Sequence, residues 1–493
     1  MIIKERPLRL TVLALVYLPI FIFLMGWCRP YIAIPGSIAL LYALYRYIRQ
    51  VIIAPPEQEE TNIEMHPLVF IVICCFIIFI GLFSGYGHWT DSHLDWPKHN
   101  AILHDMTSKE WPVIYHWDDK SYRMLSYYIG VYLLPATIGK LSGGYVAAEL
   151  SLGIILLMTA LCVILLLIKI LGCNSWIKQI LCVVCFLLFY GMSPICHKLN
   201  AMMGCQGGGH SVIADLPNIY YLHIKPIILV FTTYIQGIAP LGVCLCLINE
   251  KKPFGNLGIH LLPVLIFSPF LFVGLMLLYA LFWVAERCRK RISIKDILTT
   301  ENIIASLIAC IFLIYFSGNI LLDKPENTGL QFIKIKTTRN FVVFLSYCFF
   351  LFGIYLIILW KSFYRESLYL SLCCAFGVIP LFTMGAYNDW CQNCPLVLLL
   401  LLFLYVWKYF QQPHCLLRKV ILAGVIVVGT YVPIEATRTL LSDGFSSPRW
   451  NFQTDGLMDH LNDEDPANRL SYRYNYVSGD INTDLFYKYI AKK

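Results

Sequence analysis

The sequence predicts an all-α polytopic membrane protein, on three observations. Hydrophobic residues fill 58% of the 493 positions and charged residues only 14%, about half of the roughly 25% usual in a soluble protein. The apolar residues come in long runs, and a helix needs about 20 of them in succession to cross the hydrocarbon core. The basic residues sit singly or in small groups at the ends of those runs, where the positive-inside rule places them. Length and apolarity together exclude collagen-like, disordered and small disulfide-framework chains.

Taken in order, the runs 8–28, 31–53, 67–85, 144–171, 176–195, 228–249, 301–320, 340–361, 366–386, 395–411 and 419–434 each read as one crossing. The run 257–286 is interrupted at Ser268-Pro269 and is flanked by Lys251-Lys252 and by Arg287, Arg289, Lys290 and Arg291. It reads as a helical hairpin of two short crossings, which brings the expected total to about 13. The apolar start behind Lys4, Arg6 and Arg9 reads as a retained signal-anchor.

With the N-terminus inside, cytoplasmic loops receive Arg46, Arg49, Lys169, Lys178, Lys251, Lys252, the Arg287 cluster, Lys361, Arg365, Lys408, Arg418 and Lys419. Segments 86–143, 196–227, 321–339, the turn 387–394 and the tail 435–493 then fall outside. The expected organisation is a membrane domain over 1–434, with 86–143 as its first exoplasmic loop, and a small exoplasmic C-terminal tail over 435–493. The expected location is the plasma membrane, with the C-terminus exoplasmic. The net charge of +8 is spread over helix ends, so no nucleic-acid partner is expected. The 19 cysteines are scattered through apolar runs, where a thiol behaves as a small hydrophobe.

Within the first loop, 91–110 has an amphipathic pattern that predicts a helix lying on the membrane. The stretch 125–140 is apolar and aromatic but short, and reads as a second interfacial or re-entrant helix. The densest chemistry of the chain is also here: His88, Asp91, His93, Asp95, Lys98, His99, Asn100, His104, Asp105, Glu110, His116, Asp118 and Asp119. On a helix Asp91 and Asp95 share a face, as do Asp95 and His99. Such a carboxylate–imidazole group at a membrane surface suits a general base towards a hydroxyl, against the plainer alternative of a solvated loop. His93, Asp95 and His99 are also competent ligands for a divalent ion, but their spacing matches no metal signature, and no metal or cofactor is expected.

Elsewhere, Cys391 and Cys394 have C-x-x-C spacing without a second pair, which favours structural cysteines beside a turn. The run Gly207-Gly208-Gly209 lacks the lysine and hydroxyl of a P-loop and reads as a loop. His223 and Lys225 border a span, where lysine either pairs with a lipid phosphate or snorkels. Glu149 is almost the only acid inside a span, and the lack of a chain of ionisable groups disfavours coupled transport.

Two segments resemble the multi-pass glycosyltransferases of the GT-C fold, especially their bacterial members. One runs Asp91-Ser-His-Leu-Asp95-Trp96-Pro-Lys98-His99-Asn100 to Glu110-Trp111-Pro112; the other is Tyr387-Asn388-Asp389-Trp390. The resemblance implies a GT-C-like bundle and sugar transfer from a polyprenyl-phosphate donor to a cell-envelope glycan or lipid acceptor. Asp95 or Asp91 would be the general base. Lys98, His99 and Lys225, with Asn100 beside them, would hold the lipid phosphate, since cations stabilise charge developing there. Asn388 and Asp389 would hold the acceptor or the sugar. The turn reads Cys-Gln-Asn-Cys after Trp390, without the arginine the resemblance leads one to expect. Rival functions are a carrier or flippase for a lipid-linked saccharide, and a non-catalytic envelope assembly protein.

Overall fold

A computed structural model describes residues 2–53, 63–90, 96–118, 121–195, 198, 224–319, 329–333, 335, 337–384, 388–446, 450, 452, 454, 456–459 and 476–492. Asp91, His93, Asp95, Asp119, His223 and the glycine run at 207–209 lie outside these residues.

The chain is a bundle of apolar helices, and among the described residues eight are long and apolar enough to span a membrane. They are Glu5–Trp27, Pro30–Gln50, Tyr145–Ile170, Pro269–Cys288, Thr300–Ser317, Asn340–Phe363, Asp389–Gln411 and Leu416–Ser446. Five shorter apolar helices, Pro67–Phe83, Trp176–Leu187, Ile235–Ile248, Pro253–Phe267 and Ser367–Leu381, pack among them. Local chemistry sets their starts. Pro30, Pro67 and Pro269 open helices at a position where the missing N–H costs nothing. Ser175, Ser268, Thr299 and Thr337 cap helices with side-chain oxygens.

Helix Asp389–Gln411 is the axis of the bundle, with nearly all of its apolar stretch enclosed by protein. The outer helices instead show apolar side chains outward, among them Ile38, Leu41, Leu68, Leu307, Ile357 and Val427. A surface so apolar is the face such a bundle turns to lipid. The run 257–286 breaks into two helices as expected, Leu257–Phe267 and Pro269–Cys288, but the second is long enough to span and is not the short crossing expected. Ser268 is extended at the break, and Phe254 at the start of the first arm lies 5.0 Å from Phe282 near the end of the second.

Several expected-outside segments meet at one end of the bundle. Strands Ile114–Asp118, Ser121–Leu125 and Val477–Asp480 form one antiparallel sheet. Asn319 bridges Ser478, Cys28 bridges Ala491, and the Lys225 N–H donates to the Gln392 carbonyl. Several details differ from expectation or sharpen it. Helix Trp96–Ser108 does not lie on a surface: Trp96, His99, Asn100, Ile102, Leu103, Asp105 and Met106 are all buried, because the bundle covers the face the pattern left polar. The 125–140 stretch gives helix Gly130–Ser142, which is packed against Tyr145–Ile170. The last long helix continues to Ser446, past the boundary expected at 434. The end of the tail is not separate either, since Val477, Phe486 and Ala491 are buried against the bundle.

The opposite end holds a polar knot that the sequence hid. The Glu250 carboxylate accepts from Arg9 Nη2 at 3.1 Å, Tyr47 Oη at 2.6 Å and Asn256 Nδ2 at 3.2 Å, with His260 Nε2 also at 3.2 Å. Beside it Arg46 pairs with Glu301 at 2.7 Å.

Candidate functional site

At the sheet-bearing end, residues 224–237 run in short turns instead of a full helix, fixed by partners from distant helices. The Tyr190 hydroxyl donates to the Ile224 carbonyl at 2.6 Å, and the Tyr355 hydroxyl donates to the Tyr190 carbonyl at 2.7 Å. With the Lys225–Gln392 backbone bond at 3.0 Å, this locks Lys225 beside the 388–394 turn. Its Nζ lies 4.4 Å from the centre of the Tyr234 ring, a cation–π distance. The Tyr234 hydroxyl is in turn 2.6 Å from Ser268 Oγ, the cap of helix Pro269–Cys288.

Asp389 opens the short helix Asp389–Asn393 and is half-buried. It acts on Tyr128. Withdrawal from water first, then the neighbouring Tyr234 and Asp389, hold the Tyr128 phenol well above its ordinary pKa. Tyr128 stacks on Tyr127 with centroids 3.8 Å apart, and Tyr127 lies 5.0 Å from Tyr476 of the tail. These phenols stay protonated at neutral pH. The result is a cluster of tyrosines that holds, among the described residues, the cation Lys225 and the acid Asp389.

The other expected residues take different places. His99 is 1% exposed, and both ring nitrogens are engaged: Nε2 with the Thr233 carbonyl at 3.2 Å, Nδ1 with the Tyr132 hydroxyl. A carbonyl only accepts, so Nε2 carries a proton. His99 thereby ties helix Trp96–Ser108 to the segment that carries Tyr234. Gln236 completes the arrangement by donating to the Tyr132 hydroxyl at 3.1 Å. Asn388 is buried in a left-handed conformation (φ 53°), and its Oδ1 accepts from the N–H groups of Cys391 and Met384, both at 3.4 Å. Its carbonyl shapes the turn. Asn100 is buried, and Lys98 is half-buried. Asp91 and Asp95 lie outside the described residues.

Comparison with known family models, curated proteins and solved structures finds no match. What the site does has to be read from its own groups. Among the described residues no three metal-ligating side chains come together. Cys391 donates its S–H to the Phe382 carbonyl at 3.3 Å, and it and Cys394 are buried.

A small apolar recess of about 20 Å³, about the room one water needs, adjoins Lys225, lined by Ile224, Tyr347, Leu351, Phe376, Ile379 and Pro395 among others. Ile224 belongs to its wall while the next residue, Lys225, belongs to the tyrosine cluster. Sequence reasoning reached Lys225 and Asp389 but missed Tyr127, Tyr128 and Tyr234. The aromatic density of 125–132 was the available signal, and it was absorbed into the expectation of an interfacial helix.

Proposed function

We propose that this protein is a GT-C-type membrane glycosyltransferase. It moves a sugar from a polyprenyl-phosphate donor to a cell-envelope glycan or lipid on the exoplasmic face of the plasma membrane. The N-terminus is then cytoplasmic, and the sheet-bearing end and the C-terminus are exoplasmic. Asp95 or Asp91 takes the proton of the attacking acceptor hydroxyl. The observation that carries the reading is the junction at Ile224–Lys225, where a fixed cation in a tyrosine cluster meets an apolar recess. A lipid phosphate suits that pairing: the chain would run along the apolar surface beside Ile224, and Lys225 would face the phosphate whose charge grows as the sugar leaves. Tyrosine rings and hydroxyls suit a sugar, and Asp389 would accept from its hydroxyls.

The test separates binding from chemistry. Lys225→Met is expected to weaken binding of a polyprenyl phosphate to the purified protein by about tenfold or more, about 1.4 kcal/mol. Asp95→Asn or Asp91→Asn should keep that binding and lower sugar transfer by roughly 10²–10⁴-fold. Full transfer in both aspartate variants removes the general base. Lipid binding by the wild type that depends on Lys225, with no transfer and no response to either aspartate, makes the protein a carrier.

A further inference from the structure

Away from the Lys225 cluster, Glu149 is the acid least accounted for. It lies in the first turns of the apolar helix Tyr145–Ile170 and is 0% exposed. Its Oε1 accepts from the Tyr145 hydroxyl at 2.9 Å, and Oε2 has no partner among the described residues. No cation is paired with it there. An uncompensated charge in such surroundings costs several kcal/mol. Among the described residues the carboxyl is enclosed, with the Tyr145 hydroxyl as its hydrogen-bond partner.

The chain of contacts continues outward. His88 Nε2 is 3.0 Å from the same Tyr145 hydroxyl, and His88 is 1% exposed. Its placement is enforced. Gly85, Gly87 and His88 all have positive φ, and for a non-glycine residue this is uncommon and sustained only by its surroundings. The turn comes so close to the helix that a Cβ on Gly153 would lie 2.8 Å from the Gly87 nitrogen. Trp450 donates its N–H to the His88 carbonyl at 3.1 Å, and the Phe452 ring lies 5.4 Å from the His88 ring.

We infer that His88, Tyr145 and Glu149 form a proton relay that takes up a proton at the loop end and stores it on the buried Glu149 carboxyl. The relay has two states on the same heavy-atom positions. In one, His88 Nε2–H donates to Tyr145, and Tyr145 donates to ionised Glu149. A proton added at His88 Nδ1 lets each hydrogen move one place inward. The Nε2–H bond breaks as a new tyrosine O–H forms, and the old tyrosine O–H breaks as the carboxyl O–H forms. Glu149 then donates to Tyr145, and Tyr145 donates to Nε2. No electrons are exchanged and no co-reactant is needed.

The titratable groups around the relay come from several elements. Helix Trp96–Ser108 brings His104, whose ring lies 5.4 Å from that of Tyr145, and behind it Asp105, 3.2 Å from Lys109 Nζ. Helix Gly130–Ser142 brings Lys140, which donates to the Lys109 carbonyl. The tail brings Asp459 near Gly456, which itself abuts Asp105. None of these is paired with Glu149.

The relay rests on the proposed function only for its use, which is to carry off the proton released when the acceptor is deprotonated in the loop starting at Asp91. Infrared difference spectroscopy of the purified wild type, with no substrate present, tests it directly. A neutral-carboxyl carbonyl band is expected that vanishes in Glu149→Gln. In Tyr145→Phe the band should remain, with its hydrogen–deuterium exchange slowed about tenfold or more. If Glu149→Gln does not fold, Glu149→Asp should shift the band instead. Absence of the band at every pH, its survival in Glu149→Gln, or unchanged exchange in Tyr145→Phe overturns the relay. Because neither lipid binding nor transfer is read, such a result leaves the Lys225 assignment standing.

Discussion

Glu250→Ala is expected to lower the unfolding free energy by about 3–5 kcal/mol, the usual cost of removing one partner from a buried ion pair. The Glu250 side chain is only 2% exposed and that of Arg9 10%. Four groups from separate elements converge on this carboxylate: Arg9 from helix Glu5–Trp27, Tyr47 from helix Pro30–Tyr47, Asn256 from the short helix Pro253–Asn256, and His260 from helix Leu257–Phe267. Removing the acid leaves a guanidinium whose other carboxylate partner among the described residues is Glu5 at 3.4 Å. The check is chemical or thermal unfolding in one detergent. The double variant Arg9→Met, Glu250→Met sharpens it, because replacing both charges by apolar groups leaves nothing unpaired. The double should recover most of the loss, giving a coupling well beyond the roughly 0.5 kcal/mol of independent sites. A double variant as damaged as the sum of its parts would show that the two charges stabilise separately.

That knot also shows what the sequence could convey. Apolar runs display their function in every residue, so the long helices were legible down to the break at Ser268-Pro269. Glu250, standing next to Lys251-Lys252, looks like one more charge of a solvated loop, and Arg9 looks like a topogenic cation. Nothing local reveals that they meet across 241 residues. The same holds for His99. Its spacing from Asp95 suggested a catalytic pair, whereas its described partners are Tyr132 and the Thr233 carbonyl, supplied by distant packing. Lys225 and Asp389 were legible because charge is scarce here and each borders a span. Tyr128 and Tyr234 were not, because an aromatic residue at a membrane edge ordinarily means anchoring.

Gly274→Ala is expected to damage both the fold and the site, through a single methyl group. Gly274 lies on helix Pro269–Cys288 where it crosses the turn that carries Asp389 and Gln392. A Cβ there would sit 2.0 Å from the Cys394 carbonyl oxygen and 2.9 Å from its carbon. Both atoms are backbone, so no rotamer change relieves the clash, and the helices must separate. Overpacking of this kind costs about 1–3 kcal/mol, and the upper end applies where only main chain can give way. Separation pulls on the Lys225–Gln392 backbone bond, so polyprenyl-phosphate binding should weaken together with stability. Gly424→Ala is the matched control. It lies within helix Leu416–Gly429, and a Cβ there meets nothing within 4 Å. The same substitution should be neutral or stabilising by up to about 1 kcal/mol through the better helix propensity of alanine. Unfolding midpoints and lipid binding measured side by side decide the matter. If both alanine variants behave alike, the close approach at Gly274 does not hold the turn in place.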